Sequence, residues 1–318
     1  MNQLVRTLRA VAPVVDARLV RTGLIGAGIG PSLSPALHER EARALGLSYR
    51  YTRFDLDELG AAPADVGAVL ARARADGLRG VNVTHPVKQH VLPHLDALST
   101  DAAAIGAVNT VVFDGGRAVG HNTDWSGFAA ALEAGLPGAA HGDVALLGAG
   151  GAGAAAAHAL LTGGARVVHV LDVDHDRAHT LAARLAATFG AGRATAVAID
   201  AVGDVLTRAD GLVHATPTGM AEHPGLPVPP AVLHPRLWVA EIVYRPLHTE
   251  LLRVASGVGA RTLDGGLMAV HQAADALHLF TGRHPDTARM RRHLAELVAD
   301  TAPTTEPTTE PREDPRAG

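Results

Sequence analysis

A glycine-rich turn between an apolar strand and an alanine-rich helix constrains the fold of this chain more than any other feature. The apolar run 144–147 predicts a strand, and residues 152–161 have the composition of a helix. Between them stands the hexad Gly148-Ala149-Gly150-Gly151-Ala152-Gly153. The first glycine permits the tight turn, the second lets the backbone approach a pyrophosphate, and the third allows close packing of helix on strand. The pattern predicts a Rossmann unit that binds a dinucleotide at a helix N-terminus.

An acidic residue stands where the ribose of such a dinucleotide is expected. Asp172 ends the next apolar run about 20 residues after the last glycine, where a carboxylate can hydrogen-bond the adenosine ribose 2′-hydroxyl. Asp174 follows, and two carboxylates would repel the 2′-phosphate of NADP. Arg177 is the counter-argument because its side chain could reach a phosphate, although a solvated position in the next helix is the simpler interpretation. We therefore predict NAD as the cofactor.

Strand and helix patterns alternate in two blocks. In the first block, strands are predicted at residues 22–27, 49–54, 80–83 and 109–113, and helices at 35–45, at 64–75 and, briefly, after Pro86. In the second, strands are predicted at 144–147, 166–171, 195–199, 211–215 and 237–243, and helices at 152–161 and 176–189. Two more helices, 267–281 and 286–300, follow without a further strand. Strands separated by helices indicate βαβ units and parallel, doubly wound sheets.

The predicted architecture is therefore α/β with two domains. Residues 21–124 and 265–300 form an N-terminal α/β domain that the C-terminal helices complete by packing back onto it. Residues 125–264, inserted between them, form the Rossmann domain. Residues 1–20 mix charged residues with short apolar stretches and are predicted to be a flexible arm. Residues 301–318 repeat Pro, Thr and Glu without a large apolar side chain, so they are predicted to be a disordered tail.

Composition excludes several classes of function. The formal net charge of −4 and a pI near 6.5 favour neither nucleic acid nor an anionic membrane. No apolar run approaches the roughly 20 residues that span a bilayer, and the first twenty residues show no continuous signal-peptide core. Zero cysteines exclude disulfides, thiolate metal ligands and a cysteine nucleophile. A cytoplasmic enzyme with a small-molecule substrate, and with no nucleic-acid or membrane partner, is the simplest class.

Lys88 is the single lysine of the sequence, whereas the other 27 of the 28 Lys and Arg residues are arginine. A guanidinium stays protonated in proteins, but a desolvated lysine amine can donate or accept a proton. Because Lys88 follows Pro86 at a predicted helix start, the helix dipole disfavours a cation there. We therefore expect Lys88 to take part in chemistry, and a leftover surface charge is the simpler alternative.

Asp124 lies in the segment that joins the two blocks, Gly120-His121-Asn122-Thr123-Asp124. A carboxylate in this hinge can face the cleft between the domains and pair with Lys88. The 18 histidines of the chain do not indicate a metal site. His85, His90 and His94 lack a second cluster or acidic partners at ligand spacing, so we interpret them as surface residues and predict no metal.

An ordered set of motifs makes the chain resemble the shikimate dehydrogenase family, most of all its NAD-linked quinate/shikimate dehydrogenase branch. The resemblance extends from about Gly23 to Leu297. Its motifs are Ser32-Leu33-Ser34-Pro35, Asn82-Val83-Thr84 with Lys88, Gly106-Ala107-Val108-Asn109-Thr110, Asn122-Thr123-Asp124, the glycine hexad, Tyr244-Arg245-Pro246-Leu247, and Asp264-Gly265-Gly266 through Gln272. The first domain would then be the substrate-binding, catalytic domain.

The resemblance implies reversible oxidation of the C3 hydroxyl of shikimate to 3-dehydroshikimate, or of quinate to 3-dehydroquinate, by hydride transfer to NAD⁺. Lys88 would be the acid/base and Asp124 would orient it, unless the two share the proton as a coupled pair. The implied substrate contacts are Ser32 and Ser34 for the carboxylate, Asn109, Gln272, Lys88 and Asp124 for the ring hydroxyls, and Thr84 and Tyr244 for the pocket wall. The implied cofactor contacts are Gly148, Ala149, Gly150, Gly151, Ala152, Gly153, Asp172, Arg177, Thr216, Gly219, Met220, Val243, Gly265 and Met268.

The chain departs from the family pattern at two places. His214 opens the motif that ends at Met220, where an asparagine is common, and we expect His214 to support backbone near the cofactor. The loop that leads to Ser32 lacks the His-Ser pair of many biosynthetic members. Together with Glu39, this loop is more similar to the NAD-linked branch.

Plain structural interpretations stay open for several of these residues. Ser32 and Ser34 could cap the following helix, Gln272 could be a solvated helix residue, Asn109 could end a strand, and Tyr244 could fill the core.

Other functions also stay open. They are a biosynthetic NADPH-dependent shikimate dehydrogenase, an aminoshikimate dehydrogenase and a nucleotide-binding regulator without catalysis. Retention of both Lys88 and Asp124 argues against the regulator. The sequence leaves open the preference between quinate and shikimate, and the choice between monomer and homodimer.

Overall fold

The computed structural model describes residues 19–300, and two six-stranded sheets organise this part of the chain. The strands are Val20–Gly26 (β1), Tyr49–Asp55 (β2), Gly80–Val83 (β3), Ala97–Leu98 (β4), Thr110–Asp114 (β5), Arg117–His121 (β6), Asp143–Leu147 (β7), Val167–Leu171 (β8), Ala194–Val197 (β9), Gly211–His214 (β10), Trp238–Glu241 (β11) and Arg261–Leu263 (β12). The predicted arm and tail lie outside the described residues, except for Leu19 and Val20, and Val20 already belongs to β1.

Eleven α-helices lie within residues 19–300. They are Ser34–Ala44 (α1), Leu56–Leu59 (α2), Val66–Ala75 (α3), Thr100–Ile105 (α4), Thr123–Gly135 (α5), Gly151–Thr162 (α6), His175–Phe189 (α7), Val202–Leu206 (α8), Glu250–Gly257 (α9), Gly265–Thr281 (α10) and Thr287–Asp300 (α11). None of the helices in this range is both long and apolar enough to cross a membrane.

The second sheet is entirely parallel, with the strand order β12-β11-β10-β7-β8-β9. Parallel sheets are covered on both faces, which explains the continuous apolar runs of β7 and β10. The chain leaves β7 toward β8 on one side and later returns with β10 on the other. The glycine-rich turn after β7 therefore lies at the switch point of the strand order, where α/β sheets bind ligands. The predicted Rossmann sheet is confirmed.

The first sheet is mixed, with the order β2-β1-β3-β5-β6-β4. Strand β1 runs parallel to β2 and β3, whereas β5 runs antiparallel to β3 and to β6. The expectation of a parallel sheet was wrong for β5, which runs antiparallel to β3 and to β6. Gly115 and Gly116, with φ of +53° and +79°, allow the tight hairpin turn between β5 and β6. This dipeptide was the sequence signal for the missed strand β6.

The last two helices pack onto the first block, as the sequence predicts. Val112 of β5 shares a buried cluster with Ala276 and Phe280 of α10. On the other side of α10, Leu37 of α1 packs with a cluster that includes Met290 of α11. Helix α10 also lies along α5, so it contacts the segment that follows the first sheet. The exact domain boundaries stay a prediction.

No helix begins at Pro86, so the prediction that Lys88 lies in a first helical turn was wrong; the short helical segment that follows is the 3-10 helix Leu92–His94. Residues 85–91 form consecutive turns with isolated backbone hydrogen bonds. Examples are those from the Val87 N–H to the Thr84 carbonyl and from the Val91 N–H to the Val87 carbonyl. Lys88 therefore does not oppose a helix dipole, and that argument for its use no longer applies. Its neighbours in space have to carry the argument instead.

Candidate functional site

Lys88 and Asp124 are in direct contact. Lys88 Nζ donates to Asp124 Oδ2 over 2.6 Å, and the two side chains are 17% and 8% exposed. A charge-assisted bond of this length in a mostly desolvated place fixes the direction of both groups. The sequence predicted that Asp124 lies in a hinge, but the structure places it in the first turn of α5. The helix dipole there favours a negative charge.

The second oxygen of Asp124 is held by Asn109. Asn109 Nδ2 donates to Asp124 Oδ1 over 2.9 Å, and Asn109 Oδ1 accepts the Thr123 backbone N–H over 2.7 Å. Asn122 caps α5 by accepting the N–H groups of Asp124 and Trp125. Asn109 directly precedes β5, and its side chain belongs to the Asp124 carboxylate site.

Thr123 connects this site to the C-terminal helix α10, and the sequence reasoning did not single it out. Its hydroxyl donates to the Gln272 carbonyl over 3.0 Å and accepts from Asn109 Nδ2 over 2.9 Å. The Gln272 side chain donates to the Ala269 carbonyl of its own helix over 2.9 Å. Gln272 is therefore tied to the site through its backbone, and its amide would have to turn to reach a substrate.

The Ser32 loop and the Lys88 segment leave the same edge of the first sheet. Both follow parallel strands, β1 and β3, whose carboxyl ends are adjacent. Thr84 lies between them, because a Cβ placed on Gly26 would meet Thr84 Cγ2 at 2.4 Å. Ser32 Oγ accepts the Ser34 N–H over 3.3 Å, so it has a local structural role at the start of α1. No side-chain cap is formed by Leu33, the N-cap residue of that helix.

Tyr244 reaches this loop from the second half of the chain. Its hydroxyl hydrogen-bonds Ser32, and burial raises the pKa of Tyr244 above its ordinary value. The Arg245 guanidinium donates to the Pro31 carbonyl. The segment after β11 is thus bound to the loop that carries Ser32.

The glycine-rich turn has the geometry that a pyrophosphate needs. Gly148 has φ of +101°, and a Cβ there would lie 2.6 Å from the Ala215 carbonyl. A Cβ on Gly153 would lie 2.0 Å from the Gly148 carbonyl, so only glycine allows this packing. A Cβ on Gly151 would meet Lys88 Cδ at 3.1 Å. The lysine side chain therefore lies against the dinucleotide turn, and the two predicted sites adjoin.

Asp172 lies beside this turn. Its Oδ2 accepts the Ala149 N–H over 2.6 Å and its Oδ1 accepts the Asp174 N–H over 2.9 Å. Asp174 is committed differently, because its side chain caps α7 by accepting the N–H groups of Asp176 and Arg177. The repulsion argument against a 2′-phosphate therefore rests mainly on Asp172. Val173, between the two, is 89% exposed and is a further candidate cofactor contact that the sequence reasoning missed.

Arg177 turns back toward the glycine turn. Its Nη2 would be 3.4 Å from a Cβ on Gly150. Partial desolvation lowers the pKa of His85, and the positive charges of Lys88 and Arg177 lower it further. His85 is an exposed residue, as expected, and it lies near the positive charges of Lys88 and Arg177. An anionic group bound at Gly150 would meet a positive environment.

The remaining predicted cofactor residues divide into two groups. Thr216 and Gly219 lie in the loop after β10, and Thr216 Cγ2 would be 3.1 Å from a Cβ on Gly148. Met220, in the same loop, is exposed, whereas Met268 packs in the core. Gly265 begins α10 and approaches the carbonyls of Ile242 and Val243, where a Cβ would lie 2.5 and 2.7 Å away.

His214, at the end of β10, supports the following loop through Thr216, and we expected it to support backbone near the cofactor. It is fully buried and bonds Glu241 through Nδ1 and Thr216 through Nε2. Within residues 19–300, no group of three or more His, Asp or Glu side chains is placed to hold a metal ion.

A Rossmann sheet whose glycine turn adjoins a lysine–carboxylate pair defines the class of protein: an oxidoreductase that uses a nicotinamide dinucleotide. The sequence model of the shikimate dehydrogenase substrate binding domain matches residues 24–111, and that of the shikimate 5′-dehydrogenase C-terminal domain matches residues 268–295. The chain belongs to the shikimate dehydrogenase family, which confirms the resemblance in its motifs.

This chain is similar both to relatives named for NADP(+) and to relatives named for NAD(+). The shikimate dehydrogenase (NADP(+)) of Streptomyces avermitilis is 60% identical, over 90% of this chain and 98% of the relative. The quinate/shikimate dehydrogenase (NAD(+)) of Corynebacterium glutamicum strain R is 46% identical, over 86% and 98%. A solved structure of quinate dehydrogenase from Corynebacterium glutamicum in complex with NAD has a TM-score of 0.81 and 45% identity, covering 87% of this chain and 99% of that one.

Proposed function

We propose that this protein reversibly oxidises the C3 hydroxyl of shikimate, and of quinate, with NAD⁺. The observation that carries the proposal is the Lys88–Asp124 contact of 2.6 Å beside the glycine turn. The Lys88 side chain also lies against Gly151, so a proton acceptor at Lys88 would be next to the dinucleotide turn. A regulator without catalysis has no need of this pair in a mostly buried position.

The proton chemistry belongs to Lys88. In the oxidation direction Lys88 acts as the neutral amine, which accepts the substrate hydroxyl proton on Nζ and becomes an ammonium; in the reduction direction the ammonium returns that proton to the oxygen. Asp124 accepts the Lys88 hydrogen bond and so fixes the direction of Nζ, while Asn109 holds the other carboxylate oxygen. NAD⁺, when bound at the glycine turn, supplies the hydride acceptor.

The chain's own residues also orient the substrate. The hydroxyls of Ser32 and Ser34 suit a small carboxylate, with Tyr244 and Thr84 as the adjoining pocket wall. A ring bearing several hydroxyls would meet the amide of Asn109 and the charges of Lys88 and Asp124, with Gln272 at the rim. These assignments rest on the adjacent strand ends and on the Tyr244–Ser32 bond.

The preference for NAD⁺ rests on Asp172. Each of its oxygens accepts one backbone N–H, which leaves further lone pairs for a ribose hydroxyl. A 2′-phosphate would instead bring a dianion against a carboxylate held in place by the Ala149 N–H. Arg177 lies at Gly150, where it suits the pyrophosphate that both dinucleotides share.

An NADP-linked shikimate dehydrogenase is the second candidate, and the 60% identical Streptomyces relative favours it. Initial rates for shikimate and quinate, each with NAD⁺ and with NADP⁺, separate the two. We expect higher kcat/KM with NAD⁺. A preference of the unmodified protein for NADP⁺ would overturn the role given to Asp172.

Asp172→Asn tests the same residue directly. It removes the charge but retains one acceptor oxygen, so the ratio of kcat/KM for NAD⁺ over NADP⁺ should fall about tenfold. Asp174→Asn is the matched control, because Asp174 caps α7 and should leave the ratio nearly unchanged. Equal effects of the two substitutions would contradict the assignment.

A further inference from the structure

A hydrogen-bond network centred on the buried side chains of His214 and Glu241 lies under the loops that follow β10 and β11. His214 Nδ1 is 2.9 Å from Glu241 Oε1 and 3.0 Å from Oε2, and both side chains are 0% exposed. His214 Nε2 is 2.5 Å from the Thr216 hydroxyl. Burying polar groups of this kind is costly unless every one finds a partner, so the placement of each partner is restricted.

The hydrogen bonds of this network form a directed chain. The Thr216 hydroxyl accepts the Thr218 N–H over 3.3 Å, and its own hydrogen can be donated to His214 Nε2. In the tautomer in which Nε2 accepts this bond, the Nδ1–H of His214 is donated to Glu241. Glu241 also accepts the Val243 N–H over 3.0 Å and the Thr249 hydroxyl over 3.1 Å. The carboxylate is thus satisfied by three donors without a mobile cation.

One arm of the chain of bonds ends at the predicted cofactor site. Thr216 packs directly on Gly148, because a Cβ on that glycine would meet Thr216 Cγ2 at 3.1 Å and the Ala215 carbonyl at 2.6 Å. Moving Thr216 therefore moves the wall of the glycine turn. His214 is the last residue of β10, and its hydrogen bond to the Thr216 hydroxyl restricts the position of Thr216.

The other arm ends at the predicted substrate site. Glu241 holds Val243, and the next two residues bind the Ser32 loop, Tyr244 through a bond to Ser32 and Arg245 through the Pro31 carbonyl. Glu241 also holds Thr249, the N-cap of α9, so the segment 242–249 is fastened at both ends.

We infer that the buried His214–Glu241 pair is a positioning device that holds the cofactor-side loop and the substrate-side loop in one fixed relation. Neither residue touches a ligand; each acts through the residues it binds, Thr216 on one side and Val243 to Thr249 on the other. The inference rests on the proposed function, since it concerns the binding of dinucleotide and substrate by that site.

Three substitutions separate the effect of the His214–Thr216 bond from that of the His214–Glu241 bond. His214→Leu removes both. His214→Asn can place its amide nitrogen near the Nδ1 position, so it keeps the bond to Glu241 and loses the one to Thr216. Thr216→Val removes the hydroxyl alone. His234→Leu is the control, because His234 is part-buried in the same sheet domain, bonds the Leu206 carbonyl and touches neither loop.

The measurements are the NADH dissociation constant by fluorescence titration, KM and kcat for shikimate, and urea unfolding. A lost buried hydrogen bond predicts about a tenfold rise in both the NADH constant and the shikimate KM for His214→Leu, with a smaller fall in kcat. His214→Asn should raise only the NADH constant. In a Thr216→Val background His214→Asn should add little, because both changes remove the same bond.

Two outcomes would overturn the inference. In the first, His214→Leu lowers stability as His234→Leu does and leaves both binding constants unchanged. In the second, His214→Asn and Thr216→Val leave NADH binding at the wild-type value; these two variants decide the matter if His214→Leu does not fold. Absence of shikimate and quinate turnover in the unmodified protein would instead refute the proposed function, while the NADH titrations would still test the cofactor arm.

Discussion

At the residue scale, Lys88 matters because of what surrounds it. Its ammonium contacts one carboxylate, Asp124, and its aliphatic stem lies against Gly151. An arginine in its place would carry the same charge but would need more room at the glycine turn. It would also stay protonated through any reaction. The position thus combines a steric and a chemical demand, and both can be tested by substitution.

Lys88→Ala should lower kcat about 10²- to 10⁴-fold, the range for a lost general acid/base. NADH binding should stay close to wild type, because the glycine turn and Asp172 remain. Lys88→Arg should also be poor despite its charge. Steady-state kinetics and NADH fluorescence titration measure the two effects. A near-normal kcat for Lys88→Ala would exclude the acid/base role.

At the scale of elements, helix α1 depends on partners that are distant in sequence. Two polar side chains on its buried face, His38 and Glu41, are almost completely enclosed. His38 Nδ1 meets the Tyr49 hydroxyl of β2 at 3.3 Å, and Glu41 receives two bonds from Arg289 of α11. The helix therefore docks through one neutral and one ionic contact, with different responses to pH and to substitution.

Acid should destabilise the protein through His38. Burial lowers the pKa of His38 to about 3 from its ordinary 6.5. The unfolded chain takes up this proton below pH 6.5 and the folded chain does not, so the stability present above 6.5 is lost as pH falls toward 3. Between pH 7 and 5 this loss amounts to about 2 kcal/mol. Urea unfolding of wild type and of His38→Gln at both pH values measures it.

His38→Gln leaves the other titratable side chains in place, so the difference between the two pH dependences isolates His38. We expect the unfolding free energy of His38→Gln to vary less with pH over this interval. Parallel pH dependences would show that the folded protein protonates His38 without cost.

Arg289→Ala should weaken the packing of α11 on α1, although the apolar cluster of Leu37 and Met290 remains. Arg289 Nε and Nη2 lie 2.8 and 2.6 Å from the Glu41 carboxylate, whose side chain is 0% exposed. Removing Arg289, which is 28% exposed, leaves the buried Glu41 carboxylate with the Asp286 N–H as a remaining donor, so we expect a cost of about 2–3 kcal/mol, below that for a fully buried pair. Denaturant unfolding measures this cost, and Arg289→Ala with Glu41→Leu should recover a large part of it. No recovery in the double variant would mean that the ion pair is not the cause.

At the scale of the whole molecule, one contact between the two halves of the chain is formed at Gly106. The Arg184 guanidinium, on α7 of the Rossmann half, donates to the Ile105 carbonyl at the end of α4 over 3.0 Å. It lies directly on Gly106, whose φ is +68°, so a Cβ there would be 1.1 Å from Arg184 Nη1. Contact between the halves at this point requires both the positive φ and the missing side chain.

Gly106→Ala should therefore displace Arg184 and alter how the halves meet. We expect a loss of about 1–2 kcal/mol from the left-handed backbone alone, with a further loss from the displaced guanidinium. KM should rise for both dinucleotide and substrate. In an Arg184→Ala background only the backbone cost should remain, which a double-mutant cycle of unfolding free energies measures. Strict additivity would contradict the contact.

Much of the fold follows from local pattern. The strand–glycine–helix order around Gly148 predicts the Rossmann sheet because steric access to a tight turn is a property of adjacent residues. The strand β6 was missed because a hairpin depends on the Gly115-Gly116 turn rather than on hydrophobic period. The prediction of a helix at Lys88 was wrong because proline is common in the first turn of a helix but also in turns, and residues 85–91 form turns.

For the site, the sequence by itself determined which residue types were available: one lysine, a hinge-side aspartate, a glycine turn and an acid after the next strand. Only the tertiary structure decided that Asn109 holds Asp124, that Thr123 reaches Gln272, and that His214 joins two loops through Glu241. The physical reason is range. Turn geometry and capping act between neighbours in the chain, whereas satisfying a buried polar group depends on which distant strands and helices the packed core brings within hydrogen-bond distance.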